Sequence, residues 1–169
     1  KRLHDLWTQS TEVAALSQVL ASKQPSIKND EAMLAGLIHN IGVLPILLKA
    51  EDCPELLQDS SMLDNVIANL HPRIGSAILE SWKFTPEMIA VPAEHTNLNR
   101  NNSGGPDLVD VVQVAVLQSY IGTEKAHDPG SLEGVPSFEK LGVETDVSVV
   151  ELDEDSEEYA EALALFSNM

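Results

Sequence analysis

The chain has 169 residues, 43% of them hydrophobic, which is enough for one domain with a full core. Its 27 acidic and 10 basic residues give a formal net charge of −17, which repels phosphate backbones and argues against nucleic-acid binding. The single cysteine, Cys53, excludes an internal disulfide and favours a reducing cytoplasm. The sequence has no signal-peptide pattern and no apolar run of ~18 residues, so we expect no membrane span.

The first part of the chain predicts helices separated by turn residues. Apolar residues recur at helical spacing over residues 3–20, and Pro25 follows this stripe. Residues 31–41 are apolar on nearly every side, which predicts a central helix that is more than half buried. Gly42 ends or bends that helix, and Pro45 can begin a short new one.

The middle of the chain predicts two helices on either side of a His-Pro pair and a third after it. Residues 52–61 form a polar connection, and residues 62–70 follow as a helix. Pro72 suits the first position of the next helix. Thr85 and Pro86 give the start signal of the third, in which Pro92 should produce a kink.

The last part predicts one apolar helix and an acidic end. Asp107 can cap a helix that ends near Gly122, and short helices are expected at residues 137–141 and 156–167. The β-branched residues 147–150 could instead be extended. We therefore expect one domain over residues 1–169, with a core at 3–122 and an acidic helical extension at 137–169, whose charge we interpret as a solvated surface.

Three histidines lie at or near the ends of these predicted core helices. His39, His71 and His95 are 32 and 24 residues apart, so only the tertiary fold could bring them together. A single histidine on an apolar helix is usually structural, and spacing alone leaves both a structural role and a shared site open. His4 and His127 fall outside these segments and are expected to be exposed.

Four segments of the sequence resemble the HDOD domain, a helical signalling module of bacteria related to HD and HD-GYP phosphohydrolases. The resemblance implies an all-α, HD-domain-like helical bundle, here without the family's N-terminal helical region. The segments are Leu6-Trp7-Thr8-Gln9-Ser10, the apolar stretch from Ala32 to Gly42 that contains His39-Asn40, His71-Pro72 followed by Gly75, Leu79 and Trp82, and Pro86 followed by Ile89 and His95.

The departures from the catalytic HD pattern concern its metal ligands. The resemblance places Gln9 where catalytic relatives have a histidine, and Asn40 where they have the aspartate of the His-Asp pair. Glu94-His95 stands in place of a His-His pair, and Val116 stands near the closing aspartate. Asp110 cannot replace that aspartate, because six residues at 100° each place it about 240° from Val116 around the helix.

A hydrolytic metal centre needs anionic ligands, which Gln9, Asn40 and Val116 do not supply. We therefore predict a vestigial pocket with no metal, no cofactor and no catalytic residues, formed by Gln9, His39, Asn40, His71, Glu94 and His95.

Three functions remain open at this point. The first is a non-catalytic regulatory domain that binds a protein partner or a second copy of itself. The second is an HD-type phosphohydrolase with an unorthodox site made of His39, His71, Glu94 and His95. The third is a module that senses a nucleotide second messenger without hydrolysing it. The acidic charge excludes nucleic acid as a partner in all three.

Overall fold

The computed structural model describes residues 1–148 and 153–167, and every regular element in these two ranges is helical. This confirms the all-α prediction. The helices are α1 (Arg2–Ser22), α2 (Asn29–Ile38), α3 (Val43–Ala50), α4 (Pro54–Gln58), α5 (Ser60–Ser81), α6 (Pro86–Glu94), α7 (Leu108–Ser119), α8 (Pro136–Leu141) and α9 (Asp153–Ala164), with a 3₁₀ turn at Pro129–Leu132.

Helix α7 is the most deeply buried element, since every residue from Leu108 to Ser119 is buried. It begins with a capping box, in which the Asp107 side chain accepts from the Asp110 backbone N–H and the Asp110 side chain accepts from the Asp107 N–H. Helix α7 packs against α1, α2, α6 and α8. The cap predicted at Asp107 therefore starts the helix around which the domain is built.

Helix α2 is shorter and more exposed than the sequence predicts. It ends at Ile38, and Leu34 is 39% exposed on its outer side. Its small residues face α1, and a Cβ at Gly36 would lie 2.8 Å from the Ala14 Cα. The side of α2 that packs closely on α1 carries its small residues, while larger apolar residues such as Leu34 lie on the outer side. Because both sides are apolar, the sequence of residues 31–41 did not show which side would be buried.

Helix α5 corrects the prediction of two helices divided at His71. It runs without a break from Ser60 to Ser81, with Pro72 in its interior. Proline has no N–H to donate to the carbonyl of Ala68, so the helix forms one hydrogen bond fewer at this point. The packing of α5 against α3, α4 and α6 keeps it continuous.

The apolar stretch Asn29–Ala50 also departs from expectation. Its 22 residues, and the mean hydropathy of 1.6 in its most apolar 18-residue window, would allow it to cross a membrane by length and composition. In the fold it consists of α2 and α3 with a turn between them, and 44% of its most apolar window is buried in the domain. Core helices commonly have this character, so the stretch alone is weak evidence for a membrane span.

The C-terminal segment contributes to the core and is not only a solvated surface. Phe138 and Leu141 of α8 belong to the main hydrophobic cluster together with α1 and α7, so the core extends past residues 3–122. Helix α9 packs on α1, where buried Asp155 forms an ion pair with Lys23 at 2.5 Å. Of the possible extended segment at 147–150, residues 149 and 150 lie outside the described residues.

Candidate functional site

The fold brings the three predicted histidines together. The ring centroids of His39 and His95 are 5.1 Å apart, and those of His71 and His95 are 5.7 Å apart. His39 follows α2, His71 lies within α5 and His95 caps α6. Gly42 holds the first two elements in contact, because a Cβ at this position would lie 2.2 Å from the His71 carbonyl oxygen.

The two most buried histidines are neutral at pH 7. Burial, with a smaller contribution from His95, lowers the pKa of His39 to about 3, and burial lowers the pKa of His95 to about 4. Each Nδ1 donates to a backbone carbonyl of its own helix, His39 to Gly36 at 2.6 Å and His95 to Val91 at 2.8 Å. Each Nε2 therefore carries a free lone pair.

His71 is less buried than the other two. Burial lowers the pKa of His71 as well, and its buried Nδ1 has no hydrogen-bond partner among the described residues. The cluster as a whole is therefore a group of neutral imidazoles rather than a group of charged ones.

Neutral side chains complete the immediate surroundings of the cluster. The Gln9 Nε2 donates to the Tyr120 hydroxyl at 2.9 Å, and the Ser10 Oγ lies 2.9 Å from the Asn40 Oδ1. Val116 lines the same cleft from α7. Asp110 is fully buried and does not line the cleft. It lies on a different side of α7 from Val116, and its carboxylate is 3.5 Å from the Arg100 guanidinium.

The residues present do not fit the metal centre of a catalytic HD protein. Within residues 1–148 and 153–167, no group of three His, Cys, Asp or Glu side chains is arranged to hold a metal ion. Gln9, Asn40 and Val116, which line the same cleft, are two amides and a valine, and none of them supplies the charge that holds a dication.

Glu94 is placed away from the predicted pocket. Its side chain is 47% exposed, does not line the cleft, and pairs with the Arg100 Nε at 2.5 Å. Neighbouring residues on a helix point about 100° apart, so His95 can face the cleft while Glu94 faces the loop that follows. The structure therefore does not bring Glu94 into the cleft with the other predicted pocket residues.

The cleft extends beyond the predicted pocket residues and has a volume of about 1130 Å³. Its outer wall includes residues that the motif comparison did not single out: Asp5, Glu12, Tyr120, Glu124 and Lys125. Asp5, Gln9 and Glu12 lie at helical spacing on α1, a signal that could have identified the two acids from the sequence. His4 and His127 are exposed, as predicted, but both line the mouth.

A buried polar network fixes the backbone next to His95. The Gln113 Nε2 donates to the carbonyls of His95 at 2.8 Å and Asn97 at 2.9 Å. Its Oε1 accepts from the Ser137 hydroxyl of α8 at 2.7 Å. The C-terminal segment thereby supports the wall of the cleft through α7.

Comparison with known proteins agrees with this architecture. A crystal structure of a protein from Shewanella amazonensis SB2B, named "Putative metal-dependent phosphohydrolase", is similar with a TM-score of 0.79 and 28% sequence identity. The similarity covers 98% of this chain and 60% of that one, so the chain spans about three fifths of that protein's length. No curated protein matches. The family model of the HDOD domain matches residues 1–98, more than half of the chain, and the chain therefore belongs to the HDOD domain family.

Proposed function

We propose that the chain is a non-catalytic regulatory domain of a bacterial signalling protein, and that it acts in the cytoplasm by binding a protein partner. The observation that carries the proposal is the neutral composition of the histidine cluster. Gln9 and Asn40 are amides held by Tyr120 and Ser10, and Val116 replaces an acid.

Gln9, Asn40 and Val116 offer no negative charge to a metal ion in the histidine cluster. A carboxylate ligand offsets part of the charge of a metal ion that activates water and so strengthens its binding. One carboxylate at about 4 Å from a dication contributes several kcal/mol even at an effective dielectric constant of about 20. Without it, three neutral imidazoles bind a metal ion more weakly, which is why we favour regulation over hydrolysis.

An exposed apolar surface supports the proposal of a protein partner. Trp7 is 43% exposed and its ring centroid lies 6.5 Å from that of Phe166, while Leu165 is 60% exposed. Leu3, one helical turn before Trp7, is also exposed. We call these four residues the α1–α9 surface. Exposed apolar surfaces often bind other proteins, and the net charge of −17 favours a basic partner over a second copy.

The catalytic alternative is tested by metal analysis and turnover. The chain, purified without added metal, should contain no stoichiometric iron, manganese or zinc, and should not hydrolyse phosphomonoesters or cyclic dinucleotides when these metals are supplied. Asn40→Asp should not restore turnover, because Gln9 and Val116 remain neutral. Metal-dependent hydrolysis by the unmodified chain, abolished by His39→Gln, would replace our proposal with the phosphohydrolase.

Partner binding is tested with matched tryptophan variants in the complete protein. Trp7→Gln alters the α1–α9 surface, whereas Trp82→Gln changes a tryptophan that is 59% exposed at the end of α5. We expect affinity for the partner to fall only with Trp7→Gln, measured by calorimetry on the isolated pair. Equal affinities for both variants would show that the partner does not use this surface.

A further inference from the structure

The histidine cleft contains a buried hydrogen-bond donor that has no acceptor. The Ser10 hydroxyl donates to the Asn40 Oδ1 at 2.9 Å, and this bond sets the orientation of the amide. The Asn40 Nδ2 has no hydrogen-bond partner among the described residues, although Asn40 is buried and lines the cleft. A buried donor without a partner costs free energy, so a bound molecule gains affinity by supplying an acceptor.

Two histidines offer acceptors in the same cleft. His39 and His95 each donate Nδ1–H to a backbone carbonyl of their own helix, so each neutral ring keeps Nε2 as an acceptor. Neither Nε2 has a partner among the described residues, and both histidines line the cleft. The unpartnered Nδ1 of His71 donates or accepts according to its tautomer. The cleft therefore combines a donor with acceptors.

Aliphatic side chains from two helices also line the cleft. Val43 and Leu47 belong to α3, and Val116 and Leu117 belong to α7. Pockets for small organic molecules are commonly lined in this way, with a few polar groups among apolar side chains, and measure roughly 300–1,000 Å³. The volume of about 1130 Å³ leaves room for such a molecule. The lining suits a molecule with an apolar ring and one polar end.

The charge of the bound molecule follows from the outer wall and from the cluster. Acids outnumber cations on that wall once the Arg2–Asp64 ion pair is set aside, since the other charged residues there are Asp5, Glu12, Glu124 and Lys125. An anion would meet these carboxylates and the imidazole lone pairs, which repel it. An ammonium ion has no acceptor and would leave the Asn40 donor without a partner. An uncharged molecule with both a donor and an acceptor avoids both costs.

We infer that the cleft binds a small uncharged carboxamide carried on an apolar ring. The carbonyl oxygen of the carboxamide accepts from the Asn40 Nδ2, its N–H donates to the Nε2 of His39 or His95, and its ring packs on the aliphatic side chains. The Asn40 Nδ2 is closed to solvent, but the terminal torsion of an asparagine is broad, so the amide can turn toward a bound carbonyl. The inference rests on the proposed non-catalytic function, because a hydrolytic metal ion would take the same imidazole nitrogens.

The test is a titration of the chain with benzamide at pH 7, followed by calorimetry and by the side-chain amide resonances in ¹H–¹⁵N spectra. Acetophenone and benzoate have the same shape as benzamide, but a methyl group or a charged oxygen replaces the NH₂. We expect benzamide to bind at one site, about fivefold tighter than acetophenone and at least about tenfold tighter than benzoate. The Asn40 side-chain resonance should shift, while that of exposed Asn101, outside the cleft, should stay unchanged.

Matched variants test the role of the Asn40 donor. Asn40→Asp keeps an acceptor for the Ser10 hydroxyl but replaces the Nδ2 donor with oxygen, and should weaken benzamide binding about tenfold. Asn101→Asp makes the same change in charge outside the cleft and should leave the affinity unchanged. Asn40→Leu removes the donor without adding charge and should weaken binding about fivefold. Circular dichroism checks that each variant is folded.

Equal affinity for benzamide and acetophenone, an equal or higher affinity for benzoate, or an unmoved Asn40 resonance would overturn the inference. So would displacement of benzamide by Zn²⁺ at equal concentration, which would assign the imidazole nitrogens to a metal ion. If benzamide does not bind and no metal-dependent turnover is found, the inference is lost and the proposed regulatory function stands. Metal-dependent turnover would overturn both.

Discussion

Acid should destabilise this domain through His39 and His95, well above the pH at which its carboxyl groups titrate. Their pKa values in the folded state are about 3 and about 4, below the ordinary value of 6.5. The unfolded chain therefore binds more protons than the folded chain over this window. Stability falls as the pH decreases from about 6.5 toward the folded pKa values.

The magnitude follows from linkage. Between pH 7.5 and pH 5 each histidine is protonated in the unfolded chain and stays neutral in the fold, which costs roughly 2 kcal/mol. Two such groups give roughly 4 kcal/mol, a large share of the ~5–15 kcal/mol that stabilises a typical domain. His71 acts in the same direction, since burial lowers its pKa as well.

Urea unfolding followed by circular dichroism measures this directly, as the free energy of unfolding at several pH values from 7.5 to 5. Between pH 7.5 and pH 5, His39→Gln and His95→Gln should each remove roughly 2 kcal/mol of the loss in unfolding free energy, whatever they do to absolute stability. His127→Gln is the matched control, because this imidazole is exposed. Reduced repulsion at lower pH, from a net charge of −17, affects all variants alike and cancels in the comparison.

A free energy of unfolding that stays constant from pH 7.5 to pH 5 would refute this reasoning. The same conclusion would follow if His39→Gln retained the full acid sensitivity of the unmodified chain, because the titrating groups would then lie elsewhere.

Two further predictions concern the residues that hold the cleft in place, both measured by urea unfolding. Asp110→Ala should cost about 3–5 kcal/mol, because it removes a fully buried carboxylate that accepts from the Asp107 N–H and the Ser137 hydroxyl. Asp64→Ala, at an exposed ion pair, should cost about 1 kcal/mol or less, and similar losses for the two variants would show that the buried carboxylate is not special. Gly42→Ala should cost about 2–3 kcal/mol, because the new Cβ would collide with the His71 carbonyl oxygen. Gly104→Ala, where a Cβ would have no atom within 4 Å, should change the free energy of unfolding little, and an equally small change for Gly42→Ala would mean that the contact with His71 can relax.

The sequence by itself determined those features that depend on a few neighbouring residues. Thr85 and Asp107 start α6 and α7 as predicted, because a capping side chain needs only the backbone N–H groups of the next turn. The opposite directions of Val116 and Asp110 also followed from the sequence, since helix geometry fixes 100° per residue. Resemblance to the HDOD domain supplied the order of the segments, and the family match over residues 1–98 confirms it.

The tertiary structure decided what depends on contacts between distant segments. Helix α5 continues through Pro72 because its neighbours offset one missing hydrogen bond, which no local rule can foresee. Glu94 turns to Arg100 because the loop after α6 brings that guanidinium close. Three histidines separated by 32 and 24 residues meet only when α2, α5 and α6 pack together. The same holds for the cleft, which Tyr120 and the acids of α1 complete.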